Sequence, residues 1–222
     1  AYKIASPEIS DIPLIEKIVK TRKPIILSTG LATLSDLNLV VNTIKKKHKK
    51  FVILKCVSSY PNPLKDLNLS SIKLIKEKYN CVVGFSDHTI GDLAAKVAVT
   101  QGATIIEKHF KNDGDKLSID SHFSMELSKL KQFKSDLNKI NIILGKKKLT
   151  LSKSAKKNFS GRRSLYISKN ILKGERLSVD NMKSVRPSFG LHPKYFKKLI
   201  GKKVKKNMKF ADRVTKKIIE KI

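Results

Sequence analysis

Residues 81–110 have the sequence CVVGFSDHTI GDLAAKVAVT QGATIIEKHF, in which two short apolar runs flank an amphipathic segment. The runs Val82–Ser86 and Ile105–His109 have the length and composition typical of buried strands. The segment Asp92–Gln101 between them has apolar residues at helical spacing and predicts a helix. A strand, a helix and a strand of these lengths predict a βαβ unit with parallel strands.

The same alternation extends on both sides of this unit. Three more apolar runs have strand character, and four amphipathic segments have helix character. The runs are Tyr2–Ser6, Pro24–Thr29 and Phe51–Cys56, and the segments are Ile12–Thr21, Leu34–Lys46, Leu69–Lys78 and Lys129–Leu144. We therefore predict an α/β domain over residues 1–145, with a parallel sheet of about five strands.

The remaining chain lacks this regular alternation of apolar runs and amphipathic segments. Residues 146–157 are polar and predict a linker, and residues 158–222 predict a small, mostly irregular β-rich domain. In that domain Ser164–Ser168 predicts a strand, Ser178–Asn181 resembles a helix start, and Pro193–Leu199 predicts a short helix.

Composition excludes several classes of protein. The chain has 222 residues, a formal charge of +30 and 40% apolar residues, which is enough for a buried core and argues against wholesale disorder. No uncharged apolar run approaches the ~18 residues that a membrane span needs. The first residues lack a signal-peptide layout, so we expect a soluble, cytoplasmic protein.

The basic charge raises the question of nucleic-acid binding. The excess consists almost wholly of lysine spread along the chain, and aromatic residues that could stack on bases make up 6% and are not interleaved with the lysine runs. We therefore do not expect nucleic-acid binding to be the main function. Cys56 and Cys81 lack a metal-binding or redox spacing and are predicted to be buried thiols.

Polar groups follow each of the five predicted strands. A single serine or histidine in such a place is more often a cap or loop residue, but five successive strand ends favour a site. Because the carboxyl ends of parallel strands meet at one edge, we expect these groups to share one rim. They are Lys3, Ser6 and Glu8, then residues 28–30, 58–61, 86–89 and 107–110.

Two of these residues, His88 and His109, are separated by one strand-helix-strand step. Neighbouring strand ends could place both imidazoles on one divalent metal, with water or substrate oxygens at the other positions. This pattern alone also suits a metal-dependent lyase or aldolase. We assign no ligand role to His48, His122 or His192.

Five motifs in order resemble the sialic acid synthase family. They are Tyr2-Lys-Ile-Ala-Ser-Pro-Glu8, Lys23-Pro-Ile-Ile-Leu-Ser-Thr-Gly30, Lys55-Cys-Val-Ser-Ser-Tyr-Pro-Asn-Pro63, Gly84-Phe-Ser-Asp-His-Thr89 and Ile106-Glu-Lys-His-Phe110. The tail, from Arg162-Arg-Ser-Leu-Tyr through Arg186-Pro-Ser-Phe-Gly-Leu-His-Pro to Gly201, resembles the family's antifreeze-like (SAF) domain. Within the family these tail motifs are most similar to pseudaminic acid synthases.

The resemblance implies a (β/α)8 TIM barrel that condenses phosphoenolpyruvate with an N-acylated amino sugar and releases phosphate. It implies a divalent metal, manganese in the first place and magnesium or cobalt as alternatives. It also implies a homodimer in which the SAF domain of each subunit caps the partner's barrel.

The resemblance further implies roles for ten residues of this chain. Lys3, Ser6, Ser28 and Ser86 match the phosphoenolpyruvate-binding positions, and His88 and His109 match the metal ligands. Glu8 matches a catalytic proton acceptor or sugar contact, and Tyr60, Asp120 and Arg186 match sugar-binding positions.

Two departures from the family pattern stand out. A barrel of this kind needs eight strands and about 250 residues, so we expect this chain to be a fragment that lacks the first three strands and is poorly active alone. After His109 the chain has Leu117-Ser-Ile-Asp120 where the family has a Gly-Gly-Pro-Asp type sequence. The loss of glycine and proline changes the backbone that carries Asp120, so the motifs leave the identity of the sugar open.

Two alternatives accompany the pseudaminic acid synthase hypothesis. The chain could serve N-acetylneuraminate or legionaminate synthesis, because the motifs that favour pseudaminic acid lie in the tail. It could also be a non-catalytic remnant whose SAF domain binds carbohydrate or a partner subunit.

Overall fold

A computed structural model describes residues 1–219, so residues 220–222 of the predicted second domain lie outside the described part. The chain forms two compact units, which divide between Lys146 and Lys147. The first unit contains a parallel sheet of five strands in the order β1-β2-β3-β4-β5. The strands are β1 (Tyr2–Ile4), β2 (Ile25–Ser28), β3 (Phe51–Lys55), β4 (Val82–Asp87) and β5 (Ile105–Lys108). The predicted α/β class and parallel sheet are confirmed.

Five helices accompany this sheet: α1 (Ile12–Lys20), α2 (Leu34–Lys45), α3 (Ser71–Tyr79), α4 (Leu93–Thr100) and α5 (Leu127–Leu144). Local capping explains where two of them begin. The Asp11 side chain accepts a hydrogen bond from the Leu14 backbone N–H, and Thr33 and Asp36 form a reciprocal capping box at α2. The predicted helix segments are therefore confirmed to within a few residues.

The core of the first unit lies between one face of the sheet and the helices. Strand residues such as Leu27, Ile53 and Phe85 have no exposed surface, and neither do the helix residues Ile15 and Ile44. Each fully buried side chain of this size contributes about 1.5–3 kcal/mol. The apolar face of each helix therefore holds it against the sheet and leaves the carboxyl ends of the strands available for polar groups.

The sheet is strongly curled. The Nζ atom of Lys3 on β1 lies 3.3 Å from the Oε1 atom of Glu107 on β5, although these are the two edge strands. In a flat sheet, strands four positions apart lie about 19 Å from each other, too far for these side chains to meet. The first unit is therefore a curled parallel half-barrel, whose concave side gathers the strand ends.

The chain after β5 closes one side of this unit. Two short strands, β6 (Phe110–Lys111) and β7 (Met125–Glu126), pair in parallel before α5 begins. Helix α5 packs against α4, and Ala95 of α4 is buried in a cluster with Phe133 of α5 and Met125 of β7. The Lys96 Nζ atom on α4 also lies 3.2 Å from the Asp136 Oδ2 atom on α5. The loop between β6 and β7 is thereby held at both ends.

The second unit has its own core, built from short strands and loops. Strands β8 (Ser164–Ile167) and β9 (Met182–Val185) pair antiparallel, and the short helices are α6 (Lys153–Lys157) and α7 (Phe196–Leu199). Leu165, Met182 and Val214 are fully buried. At Gly190 an added Cβ would lie 2.3 Å from the Leu165 carbonyl oxygen, so only glycine fits this close backbone approach.

Three local predictions need correction. Residues 178–181 form a turn rather than a helix start, because the Ser178 hydroxyl accepts hydrogen bonds from the Asp180 and Asn181 backbone N–H groups and the chain enters β9 directly. The predicted linker contains α6, whose N-terminus Ser152 caps. Cys56 is buried as predicted, but Cys81 is only half-buried.

Within residues 1–219, no helix is both long enough and apolar enough to cross a membrane.

Candidate active site

His88 and His109 come together at the carboxyl ends of β4 and β5. Their ring centroids lie 5.3 Å apart and the ring planes are inclined by 78°. The Nδ1 atom of His88 lies 3.2 Å from the Val57 carbonyl oxygen, which can only accept a hydrogen bond, so the proton belongs on Nδ1 and the Nε2 lone pair is free. Burial lowers the pKa of His88 below the usual histidine value, which favours the neutral, ligating form.

The two imidazoles fit a divalent cation. Metal–nitrogen bonds are about 2 Å long, and a centroid separation of 5.3 Å is compatible with two imidazoles on one ion. A carbonyl that holds the second ring nitrogen, as Val57 does for His88, is the usual support for a ligating histidine. Within residues 1–219, no group of three or more histidine, cysteine, aspartate or glutamate side chains is arranged to hold a metal ion.

Aromatic and acidic side chains surround the histidine pair. Tyr60, with 53% of its surface exposed, stacks on His88 with a centroid distance of 4.2 Å. Phe123, which is 2% exposed, packs 5.0 Å from His109 and 5.8 Å from Tyr60. The Asp120 Oδ2 atom lies 3.4 Å from the Nδ1 atom of His109. Tyr60 and Asp120, predicted to bind the sugar, thus lie beside the histidines.

Serine hydroxyls form a cradle at the ends of β1, β2 and β3. The Ser6 hydroxyl accepts a hydrogen bond of 2.9 Å from the Gly30 backbone N–H. Among the described residues, the buried hydroxyl oxygens of Ser28 and Ser58 have no hydrogen-bond partner. A buried hydroxyl without a partner costs free energy, so two of them at the ends of neighbouring strands point to a ligand with acceptor atoms.

Gly30 makes this cradle possible. A Cβ atom at residue 30 would lie 2.3 Å from the Ser58 Oγ atom and 2.8 Å from the Ser58 backbone nitrogen and the Ser6 Oγ atom. The absence of a side chain therefore keeps the serine groups close and the space between them open.

Glu107 links the cradle to the histidines. Its Oε1 atom accepts a 2.7 Å hydrogen bond from the Ser86 hydroxyl and lies 3.3 Å from the Lys3 ammonium. The Ser86 Oγ atom lies 3.5 Å from the His88 Nε2 atom. Lys3 and Ser86, predicted to bind phosphoenolpyruvate, are thus brought together by a carboxylate to which the sequence analysis gave no role.

The structure places the other predicted site residues as follows. Glu8 is exposed on a single-turn helix (Pro7–Ser10) and lines a cleft beside β1 that Lys3 also lines. Arg186 is exposed in the second unit, directly after β9. Glu8 makes no side-chain hydrogen bond or ion pair within residues 1–219.

The sequence placed Ser58 and Glu107 on the rim but gave neither a role, and it did not indicate Phe123. Ser58 follows β3 and Glu107 lies near the carboxyl end of β5, so their position on the rim was a usable signal. Phe123 lies in a loop, where no periodic pattern exists to indicate that its ring is buried against His109.

A curled parallel half-barrel whose rim combines two histidines with serine, lysine and carboxylate groups defines a class of α/β proteins with a polar rim at the carboxyl ends of the strands. The chain belongs to the NeuB family, whose model matches residues 1–149, and a SAF domain follows at residues 162–216. These matches bear out the family resemblance of the sequence motifs.

Individual relatives agree with this membership. The chain is 46% identical to pseudaminic acid synthase of Campylobacter jejuni, over 96% of this chain and 62% of the relative. It is 36% identical to N,N'-diacetyllegionaminic acid synthase of the same species, over 94% of this chain and 64% of the relative. Spore coat polysaccharide biosynthesis protein E from Chromobacterium violaceum has a similar structure, with a TM-score of 0.77, 28% identity and coverage of 99% of this chain and 67% of that one. The chain thus spans less than two thirds of the length of these two synthases.

Proposed function

We propose that this chain carries the phosphoenolpyruvate-binding and metal-binding groups of a nonulosonic acid synthase that makes pseudaminic acid. In this reaction the methylene carbon of phosphoenolpyruvate bonds to the aldehyde carbon of an open-chain N-acylated amino sugar, water adds to the neighbouring carbon, and phosphate leaves. The observation that carries the proposal is the pair of buried serine hydroxyls without a partner among residues 1–219, at the carboxyl ends of β2 and β3 on the same rim as Lys3 and the two imidazoles.

The serine cradle suits the anionic end of phosphoenolpyruvate. Ser28 and Ser58 can each donate a hydrogen bond to a phosphate or carboxylate oxygen, and hydrogen bonds to charged groups are the stronger ones. Lys3 supplies a compact positive charge, and Ser86 a further hydroxyl. We assign Ser6 to the cradle through its hydrogen bond with Gly30, which positions the Gly30 backbone.

His88 and His109 would hold the cation, for which we propose manganese, with magnesium and cobalt as alternatives. When bound, the metal supplies Lewis-acid polarisation of the sugar's aldehyde. Tyr60 covers one face of His88 and restricts the space in which a sugar can approach. The Asp120 carboxylate lies close enough to His109 to orient its ring. It could also accept a hydrogen bond from a sugar hydroxyl.

The remaining assignments complete the proposal. Glu8 would accept a proton or contact the sugar, and Arg186 of the SAF domain would contact the acylamino group of sugar bound by a partner subunit. We further propose that the half-barrel is part of a (β/α)8 barrel in a homodimer with exchanged SAF domains. Pseudaminic acid is favoured over legionaminic acid because identity to the pseudaminic acid synthase is 46% against 36%.

Calorimetric titration with phosphoenolpyruvate tests the proposal. We expect saturable binding that Lys3→Ala weakens about ten-fold or more, because a hydrogen bond to a charged group contributes about 1.5–3 kcal/mol. Lys23→Ala is the matched control, since Lys23 precedes the opposite, amino end of β2 and contacts the Tyr2 ring. Equal loss in both variants, or no binding by the wild-type chain, would favour the non-catalytic alternative.

A further inference from the structure

A buried ion pair lies directly behind the histidine pair. Asp87 is the last residue of β4 and Lys108 the last of β5, and the two are partners in the strand register. Their charged atoms lie 3.0 Å apart, and the side chains are 0% and 4% exposed. His88 and His109 are the next residues along the two strands, so the pair joins the two strands at the position where the imidazoles begin.

The ion pair also holds the backbone that follows His88. One carboxylate oxygen of Asp87 accepts hydrogen bonds from the Thr89 N–H at 2.8 Å and the Thr89 hydroxyl at 2.7 Å. The Lys108 ammonium donates to the Thr89 carbonyl oxygen at 2.8 Å. Asp87 and Thr89, on either side of His88, are therefore tied to Lys108, the strand residue that directly precedes His109.

A contribution to stability does not by itself explain why two charged side chains are buried here. Two buried charges lose their hydration, and replacing such a pair with apolar residues of similar volume is often neutral or stabilising. A buried ion pair is better explained when it enforces a particular geometry. Here the geometry that it controls is the separation of two imidazoles that emerge from neighbouring strands.

We infer that Asp87 and Lys108 are positioning residues that set the distance between His88 and His109 for a divalent cation. Neither side chain is a ligand, and both act through the backbone that carries the ligands. The inference rests on the proposed metal site of the preceding section and names the residues that keep that site in register.

The test compares metal binding with stability. In the double variant Asp87→Leu with Lys108→Met both charges are removed and an apolar pair replaces them. We expect Mn²⁺ affinity, measured by calorimetry or by electron paramagnetic resonance of free Mn²⁺, to fall about ten-fold or more, as for other groups that support metal ligands. We expect the metal-free affinity for phosphoenolpyruvate to stay close to wild type, whereas the Tm should fall, because the buried Thr89 loses the acceptor of its N–H and hydroxyl and the donor to its carbonyl.

Two further variants sharpen the result. Asp87→Asn combined with Lys108→Met removes both charges but keeps an oxygen that can accept the hydrogen bonds from Thr89, so a smaller fall in Mn²⁺ affinity is expected; this variant carries the test if Asp87→Leu with Lys108→Met does not fold. Lys96→Met is the matched control, because Lys96 on α4 pairs with Asp92, directly before α4, and with Asp136 on α5. Its Mn²⁺ affinity should equal that of the wild type.

The possible outcomes separate the two proposals. Wild-type affinity in folded Asp87 and Lys108 variants, together with a loss in His88→Ala, overturns the positioning role and leaves the metal site standing. Absence of Mn²⁺ binding by the wild-type chain overturns both.

Discussion

The Lys3 ammonium and the Glu107 carboxylate, on the two edge strands of the sheet, meet at 3.3 Å. Only a curled sheet allows this contact, and the curl gathers groups at the ends of β1, β2 and β3 on the same rim as the histidines that follow β4 and β5. The contact also has a chemical consequence. The Glu107 carboxylate pairs with the Lys3 ammonium and accepts a hydrogen bond from the Ser86 hydroxyl. Because both groups are proposed to bind the substrate anion, we expect Glu107 to compete with that anion.

Glu107→Gln should tighten the binding of phosphoenolpyruvate. The change removes the negative charge but keeps an oxygen that can accept from Ser86. The side chains of the ion pair are 33% and 41% exposed, and pairs at such positions contribute about 0–1 kcal/mol, so the gain should reach at most about five-fold. Titration at low and high salt measures it, and the gain should shrink with salt.

Glu77→Gln serves as the control for this prediction, because Glu77 pairs with Lys73 on the exposed side of α3. Its affinity for phosphoenolpyruvate should equal that of the wild type. Weaker binding by Glu107→Gln would contradict the prediction and would mean that Glu107 orients Lys3 toward the ligand instead of competing with it.

Ser28→Ala should have opposite effects on stability and on binding. Its hydroxyl lacks a partner within residues 1–219, so removing it should leave the free energy of unfolding unchanged or raise it by about 1 kcal/mol. The same change should weaken phosphoenolpyruvate binding about ten-fold, and Ser58→Ala should behave alike. Urea denaturation and calorimetric titration measure the two quantities.

Ser164→Ala is the comparison for these serine variants. The Ser164 hydroxyl donates to the Pro187 carbonyl at 2.7 Å and accepts from the Gly190 N–H at 2.9 Å. Its removal should destabilise the second unit by about 1–3 kcal/mol. A comparable destabilisation by Ser28→Ala would show that the Ser28 hydroxyl has a structural partner.

Gly30→Ala should close the serine cradle. The new methyl group would overlap the Ser58 hydroxyl and crowd its backbone nitrogen, and crowding of this kind costs about 1–3 kcal/mol. We expect a lower Tm and loss of phosphoenolpyruvate binding. Adding Ser58→Ala removes the shortest contact, that with the Ser58 hydroxyl oxygen, and should therefore raise the Tm again. The recovery should be only partial, because the contact with the residue 58 backbone nitrogen at 2.8 Å remains.

Gly161→Ala controls for the general effect of replacing a glycine. A Cβ at that position meets no described atom within 4 Å. Binding of phosphoenolpyruvate should be unaffected. Full binding by Gly30→Ala would show that the cradle is wider than the contacts of Gly30 indicate.

Lys55→Met should stabilise the protein at neutral pH, and the gain should shrink as the pH rises. Burial lowers the pKa of Lys55 below 10.5, and its ammonium has no carboxylate partner among residues 1–219. Between the lowered pKa and 10.5 the unfolded chain binds the proton and the folded chain does not. Wild-type stability therefore rises with pH across that window relative to the methionine variant.

Thermal unfolding at neutral pH and near pH 10 checks this prediction. Lys55→Arg is the control, because arginine stays protonated throughout and should show no such gain at high pH. A constant difference in Tm between wild type and Lys55→Met at both pH values would contradict the prediction.

Much of the fold was predictable from local pattern. The apolar runs at β1 to β5 and the helix segments between them were identified because the spacing of apolar residues along a few turns or pleats determines which face is buried. The turn at Ser178 was mistaken for a helix start, because serine followed by Asp and Asn favours both and only the entry into β9 distinguishes them.

The rim of the site was also predictable in outline, since parallel strands end at one edge and the motifs supplied the residues. The sequence by itself determined which polar groups stand at the end of each strand, the family, and the separation of His88 and His109 by one strand-helix-strand step. Tertiary structure decided what those groups do to one another: the Glu107 bridge to Lys3, the hydroxyls of Ser28 and Ser58 and the ion pair behind the histidines. These relationships join residues 21 to 104 positions apart, and they depend on sheet curvature and packing, which no local spacing encodes.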